Sequence, residues 1–197
     1  MDHQKIRTLR VLEEIDNNQF LSQRYLSQKL DISLGLVNSF LKRLAQKGYF
    51  KAKAVSKNRM RYMLTPQGAL EKTNLSYEYF LHSLRFYRDA RKKIRVLFKE
   101  LDKQEIHRLV FCGVSDLTEI AYLSLQETAL ELKAVLDEEG AGRHFFRMKV
   151  QGMEDVHRLS FDRIFITAMG GSGHSSLEKL IDEGIDRKRI IVFSDLG

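Results

Sequence analysis

One cysteine, one proline and no apolar run of membrane-spanning length set the outer limits of this 197-residue chain. A spanning helix needs about 20 consecutive apolar residues, and none is present. A lone thiol, Cys112, excludes an internal disulfide, and its strongly apolar strand context reads as a buried structural group. With no second cysteine, and with His3, His82, His107, His144, His157 and His174 scattered, no zinc-ligand spacing appears. Met1 to Lys5 lacks the apolar core of a signal peptide, so a cytoplasmic location is expected. Low-complexity tracts are absent. Glycine is scarce in one half only: three of the twelve precede residue 106. The proline, Pro66, sits where a basic hairpin would close and a helix begin, a place where a missing N–H costs little.

Charge divides the chain in the same way. The net charge of +7 combines 22 lysines and arginines against 11 acids in residues 1–105 with 11 against 15 in residues 106–197. A glycine-poor basic half suits a polyphosphate partner such as DNA. The glycine-rich acidic half does not. Composition changes near Asp102 to His107, and the domain boundary is placed there. The expected organisation is residues 1–70 as a DNA-binding module, 71–105 as a connecting helix and 106–197 as a second domain.

The basic half carries the most informative pattern. A helix over Gln4 to Asn17 has Ile6, Leu9, Val11, Leu12 and Ile15 on one face. A second covers Ser22 to Leu30. Asp31-Ile-Ser33 forms a turn, and Ser33 is placed to cap a third helix from Leu34 to Lys47, stopped by Gly48. The stretch from Tyr49 to Leu64 follows at once as a basic hairpin, with Lys51, Lys53, Lys57, Arg59 and Arg61 around a short turn at Ser56–Asn58. This order is a helix-turn-helix with a wing, a shape that lays its third helix in the DNA major groove. Val37, Phe40, Leu41 and Leu44 point to the core, which leaves Leu34, Gly35, Asn38, Ser39, Lys42 and Arg43 outside. Asn38 suits a two-pronged pair with adenine, and Ser39 bonds either base type. Gly35 allows close approach to the sugar-phosphate chain, and Lys42 and Arg43 reach phosphate. A merely solvated polar face is the bland alternative, and a protein-binding winged helix is another.

The run Ser33 to Gly48, followed by Tyr62-Met-Leu-Thr-Pro-Gln-Gly-Ala-Leu-Glu-Lys72, resembles the winged-helix regulators of MarR type. It is similar in particular to the subgroup associated with exopolysaccharide gene clusters. The resemblance covers residues 4 to 90. It implies a dimeric transcriptional regulator acting on double-stranded DNA, with polysaccharide genes as targets.

From Pro66 to Leu101 only Gly68 interrupts a long helical pattern. Phe80, Leu84, Tyr87, Ile94, Phe98 and Leu101 make one apolar stripe, widened by Tyr79, Phe86, Ala90 and Leu97. A band this wide reads as a homodimer seam, unless the chain's own domains cover it.

In the acidic half, strands at Arg108–Gly113, Leu132–Leu136, His144–Val150, Arg163–Thr167 and Arg189–Phe193 alternate with helices at Leu117–Gln126 and Ser175–Glu183. Such alternation predicts a parallel sheet with right-handed crossovers. The expected fold class is therefore a two-domain α/β protein: a winged helix-turn-helix, a long connecting helix and a Rossmann-like parallel α/β sheet. Gly113 after the first strand and Asp137 after the second are the skeleton of a dinucleotide site, the acid holding ribose hydroxyls. The turn reads Gly113-Val-Ser-Asp-Leu-Thr118 and not G-x-G-x-x-G, so a pyrophosphate would meet Ser115 and be repelled by Asp116. A second glycine-rich turn, Met169 to Ser176, offers Gly171, Ser172 and Gly173 to an anion at a helix start. The segment Gly113 to Tyr122, through Leu136-Asp137, resembles Rossmann-like domains of nucleotide-sugar modifying proteins and redox-sensing repressors over residues 107–168. That resemblance implies a nucleotide or nucleotide-sugar ligand. No cofactor is assigned.

No catalytic constellation emerges. Ser172, His174 and Ser175 are close in sequence without a G-x-S-x-G elbow, and Asp137, Glu138 and Glu139 read as a strand-end charge cluster. The favoured reading is a regulator and not an enzyme. The rival is an enzyme of nucleotide-sugar metabolism carrying a winged helix, and a scaffold whose second domain only pairs with another protein is a third.

Overall fold

The computed structural model describes residues 1–56 and 59–196, and its contacts divide the chain into two compact units, Met1–Arg85 and Phe86–Gly197. That division falls inside a helix and not at the compositional change near residues 102–107. The reason is that the helix gives its first residues to one core and its last to another.

The first unit opens with α1 (His3–Asn17), α2 (Gln23–Leu30) and α3 (Leu34–Gln46). Each begins at a side-chain cap. The Asp2 carboxylate accepts the Gln4 N–H at 3.1 Å, Ser22 that of Tyr25 at 3.0 Å, and Ser33 that of Leu36 at 3.4 Å. Between α2 and α3 the chain turns through Asp31 in the left-handed region (φ 50°), where aspartate is tolerated better than most residues. The Ser27 hydroxyl then donates to the Ile32 carbonyl at 2.6 Å. Leu12, Ile15, Leu26, Val37 and Leu44 meet in one buried core. Antiparallel β1 (Phe50–Ser56) and β2 (Arg59–Leu64) add Phe50 and Tyr62 to it, with their rings edge to face at 5.6 Å.

The long helix α4 (Pro66–Lys103) starts where the proline requires. Thr65 supplies the cap, accepting the Gly68 N–H at 3.0 Å, and its hydroxyl reaches the Gly48 carbonyl at 2.6 Å. A Cβ on Gly68 would lie 1.8 Å from the Tyr49 carbonyl oxygen. The Thr-Pro-Gln-Gly phrase is therefore a joint: a cap, a helix start, and a glycine that lets α4 touch the base of the wing.

The second unit is a parallel sheet in the order β4-β3-β7-β8, formed by β3 (Arg108–Cys112), β4 (Glu131–Leu136), β7 (Arg163–Ile166) and β8 (Ile190–Val192). Side chains alternate along β3. Leu109 and Phe111 face a layer containing Phe98 and Ile94 of α4 with Leu117 and Ala121 of α5 (Asp116–Leu125). Val110 and Cys112 face the opposite layer, which holds Leu180 of α6 (Gly171–Asp182). Phe98, Phe111 and Phe165 pack with ring centroids 6.1 to 6.5 Å apart.

Two expectations are corrected here. Residues His144 to Val150 do not form a third parallel strand. They make a two-residue antiparallel hairpin, β5 (His144–Phe145) with β6 (Met148–Lys149), and Gln151 alone bridges in parallel to Leu136. Phe146 turns the chain through the left-handed region there (φ 50°), which breaks the extended run. The second change is that α6 begins at Gly171 and not Ser175, so Gly171, Ser172 and Gly173 are its first turn and not a loop. Glycine costs least where helical amides have no intrahelical partner. The α4 stripe is also divided: Ala90, Ile94, Phe98 and Leu101 are buried in the second unit, while Phe80 remains 58% exposed.

Candidate nucleic-acid interface and ligand cleft

On the first unit, Ser33, Leu34, Gly35, Asn38, Ser39, Lys42 and Arg43 are all exposed along α3. Among the described residues Asn38, Ser39 and Lys42 make no side-chain hydrogen bond or ion pair, so their polar atoms face outward unengaged. The Ser33 hydroxyl is taken by its cap, and the Arg43 guanidinium lies 4.8 Å over the Phe40 ring. Sequence reasoning missed Leu36, which is 58% exposed beside Ile32, Phe40 and Arg43 on a shallow groove of about 170 Å³. Its phase on the helix, one step from buried Val37, was the available signal. An apolar side chain there suits a thymine methyl.

The wing sets Lys53 directly opposite Arg61 in the β1–β2 register. Like charges across a strand pair destabilise a sheet, so this arrangement is not explained by stability. Arg61 is aimed by its neighbours: Nε donates to Gln19 Oε1 at 2.9 Å and the guanidinium lies 5.9 Å over Phe20. Lys57 lies outside the described residues. Arg59 pairs with Ser56 through the backbone, and its side chain is likewise outside them.

In the second unit the carboxyl ends of β3, β4 and β7 open into a cleft of about 690 Å³. Gly113, Ser115, Asp137, Gly171 and Ser172 line it, whereas Gly173 is buried and is not part of the lining. The turn after β3 is closed by its own bonds. Gly113 has φ 100°, and a Cβ there would come within 2.4 Å of the Ala168 Cβ. Ser115 Oγ accepts the Leu117 N–H at 3.1 Å and donates to the Thr167 carbonyl at 2.6 Å. Thr118 Oγ1 accepts the Ser115 N–H at 2.9 Å and donates to the Gly113 carbonyl at 2.6 Å. Asp137 accepts the Val114 N–H at 2.7 Å and the Gly140 N–H at 2.6 Å, one on each oxygen. The acid expected to hold ribose hydroxyls thus holds the turn where a pyrophosphate would sit, with one lone pair free on each oxygen.

Across the cleft, α6 follows Gly170 with no side-chain cap and no acid in its first turn, and Lys179 pairs with Glu138. Cys112 lies on the floor, its sulfur 3.6 Å from that of Met153, and burial pushes its thiol up to about 12. It remains a neutral thiol at physiological pH. Among the described residues no cluster of three or more His, Cys, Asp or Glu is arranged to hold a metal, and no helix is long and apolar enough to cross a membrane.

The winged helix-turn-helix DNA-binding family matches residues 5–51. The amino-terminal unit is accordingly a winged helix-turn-helix DNA-binding domain, joined to a parallel α/β part. Curated protein sequences give no significant match. Among solved structures, the chain is similar to MepR, a transcription regulator of the Staphylococcus aureus multidrug efflux pump MepA, at 17% identity and a TM-score of 0.38. That likeness covers 45% of this chain and spans 64% of MepR. It is also similar to the S-adenosylmethionine-dependent methyltransferase SibL (15% identity, TM-score 0.32, 96% of this chain and 75% of that one). A third likeness is to TrmBL2, an archaeal chromatin protein (13% identity, TM-score 0.27, 98% and 71%).

Proposed function

We propose that the protein is a sequence-specific transcriptional regulator of MarR-like type that binds double-stranded DNA as a homodimer. The observation that carries this reading is the exposed, internally unengaged face of α3 beside a cationic wing. In a dimer two such helices read half-sites about one duplex turn apart. Phe80, with the exposed Tyr77 and Tyr79 on the same helix, supplies the apolar surface of the dimer contact. Genes of exopolysaccharide synthesis are the proposed targets, in the cytoplasm.

The carboxyl-terminal unit is proposed as a Rossmann-like sensor without catalytic activity. Its cleft takes a nucleotide or nucleotide-sugar, with the Gly171 and Ser172 amides at the start of α6 toward the anionic part and Asp137 toward hydroxyls. Such a ligand alters DNA affinity only if it binds one domain arrangement better than another. Selection of bound sequences from a random duplex library by the purified protein tests the central claim. Recovery of no enriched motif would overturn it. Turnover of a nucleotide-sugar by the same preparation would overturn the non-enzymatic assignment.

A further inference from the structure

Five cations of α4 line one shallow groove of about 380 Å³: Arg88, Arg91, Lys92, Arg95 and Lys99. Their spacing of three and four residues stacks them on a single helix face. Like charges at that spacing weaken a helix, so the row is not there for α4's own stability. Among the described residues only Glu127 relieves it, through ion pairs with Arg91 and with Arg95, the latter at 3.1 Å. Among the described residues Arg88, Lys92 and Lys99 make no ion pair or side-chain hydrogen bond. Arg91 Nε is buried with no hydrogen-bond partner. These cations are concentrated, since residues 106–197 carry 11 basic residues against 15 acidic ones.

We propose that this stripe is a second polyanion-binding surface, and that its occupant is the sugar-phosphate backbone of duplex DNA. The proposal rests on the DNA-binding reading above. From Arg88 to Lys99 the helix rises about 16 Å, and one DNA strand presents a phosphate about every 3.4 Å along its axis. Because the strand winds around that axis, successive phosphates lie farther apart along the strand, and a straight stripe of this length meets about two or three of them, roughly one for each unpaired cation. The acidic surface of a second copy is a poorer fit, because six of the fifteen acids in residues 106–197 already pair with a lysine or arginine of their own chain and interrupt it. DNA offers an uninterrupted row.

The test uses the full chain and a random-sequence duplex, with affinity measured from about 50 to 200 mM salt. In an R88Q/K92Q/K99Q variant the slope of log affinity against log salt is expected to fall by about 2 to 3 per bound chain. The charge-preserving R88K/K92R/K99R variant should keep the parent slope. The same decrement should persist in an N38A background, because phosphate contacts carry no base preference. An unchanged slope in the glutamine variant would overturn the proposal while leaving the winged helix as a DNA reader. A sedimentation coefficient altered by the glutamine substitutions would assign the stripe to a self-interface and overturn it as well. Failure of the parent protein to bind any duplex would remove the DNA reading itself.

Discussion

Asn38 and Asp162 show how differently two polar residues of one chain are used. Asn38 is exposed on α3 with no bond to its own chain, so its truncation should leave folding intact. Asn38→Ala is expected to lower discrimination at one base pair by about 1–3 kcal/mol, read as relaxed selectivity in competition binding against single-base operator variants. Asp162 is engaged on every side. It meets the Arg108 guanidinium at 2.7 Å and accepts the backbone N–H groups of Arg108 at 2.8 Å and His107 at 3.1 Å. The Arg108 side chain, followed by those amides, holds its carboxyl well below the usual carboxylate range. A depressed folded-state pKa stabilises the fold above the unfolded value of about 3.9, and that stability is lost as pH falls toward the folded value. Melting followed from pH 7 to pH 2 should show Asp162→Asn already destabilised at neutral pH, with a shallower acid-induced loss than the parent. Equal acid dependence of the two proteins would refute the assignment.

At the scale of elements, the joint between wing and α4 is the most demanding. Gly68→Ala places a methyl against the backbone of Tyr49, which cannot withdraw as a flexible side chain would. A cost of about 1–3 kcal/mol or more is expected, measurable by chemical denaturation, together with weakened DNA binding as the wing loses its seat. The turn after β3 makes a milder prediction. Ser115→Ala removes the α5 cap and the bond to Thr167 and should cost about 1 kcal/mol. Most elements were legible because their signals are local: the cap Ser33, the stop at Gly48, the start at Pro66, and apolar strand runs ending in glycine or acid. The hairpin at His144–Lys149 and the early start of α6 were not. A two-residue strand carries no periodicity, and glycines in a first helical turn look like a loop by composition.

For the whole molecule, the proposed sensor should respond to its ligand by linkage. A nucleotide-sugar present at about 100 times its dissociation constant contributes about 2.7 kcal/mol, which raises the melting temperature of a chain this size by several degrees. The Val114 and Ser115 amides are bonded to Asp137 and Thr118, so a pyrophosphate is not expected to seat on the turn after β3. No melting shift with a nucleotide-sugar would count against the cleft as drawn.

The order of the helices and of the four sheet strands, the outward face of α3, the cationic wing and the charge divide at the middle of the chain followed from the sequence alone. Each depends on short-range spacing or on summed composition, which need no knowledge of what lies across the fold. Tertiary structure alone decided that Asp137 clasps the turn after β3 and that the Ser115 hydroxyl is taken by the Thr167 carbonyl. Those outcomes depend on contacts between segments far apart in sequence, where one carboxylate or one carbonyl arriving from another strand redirects a group whose own neighbours leave it uncommitted.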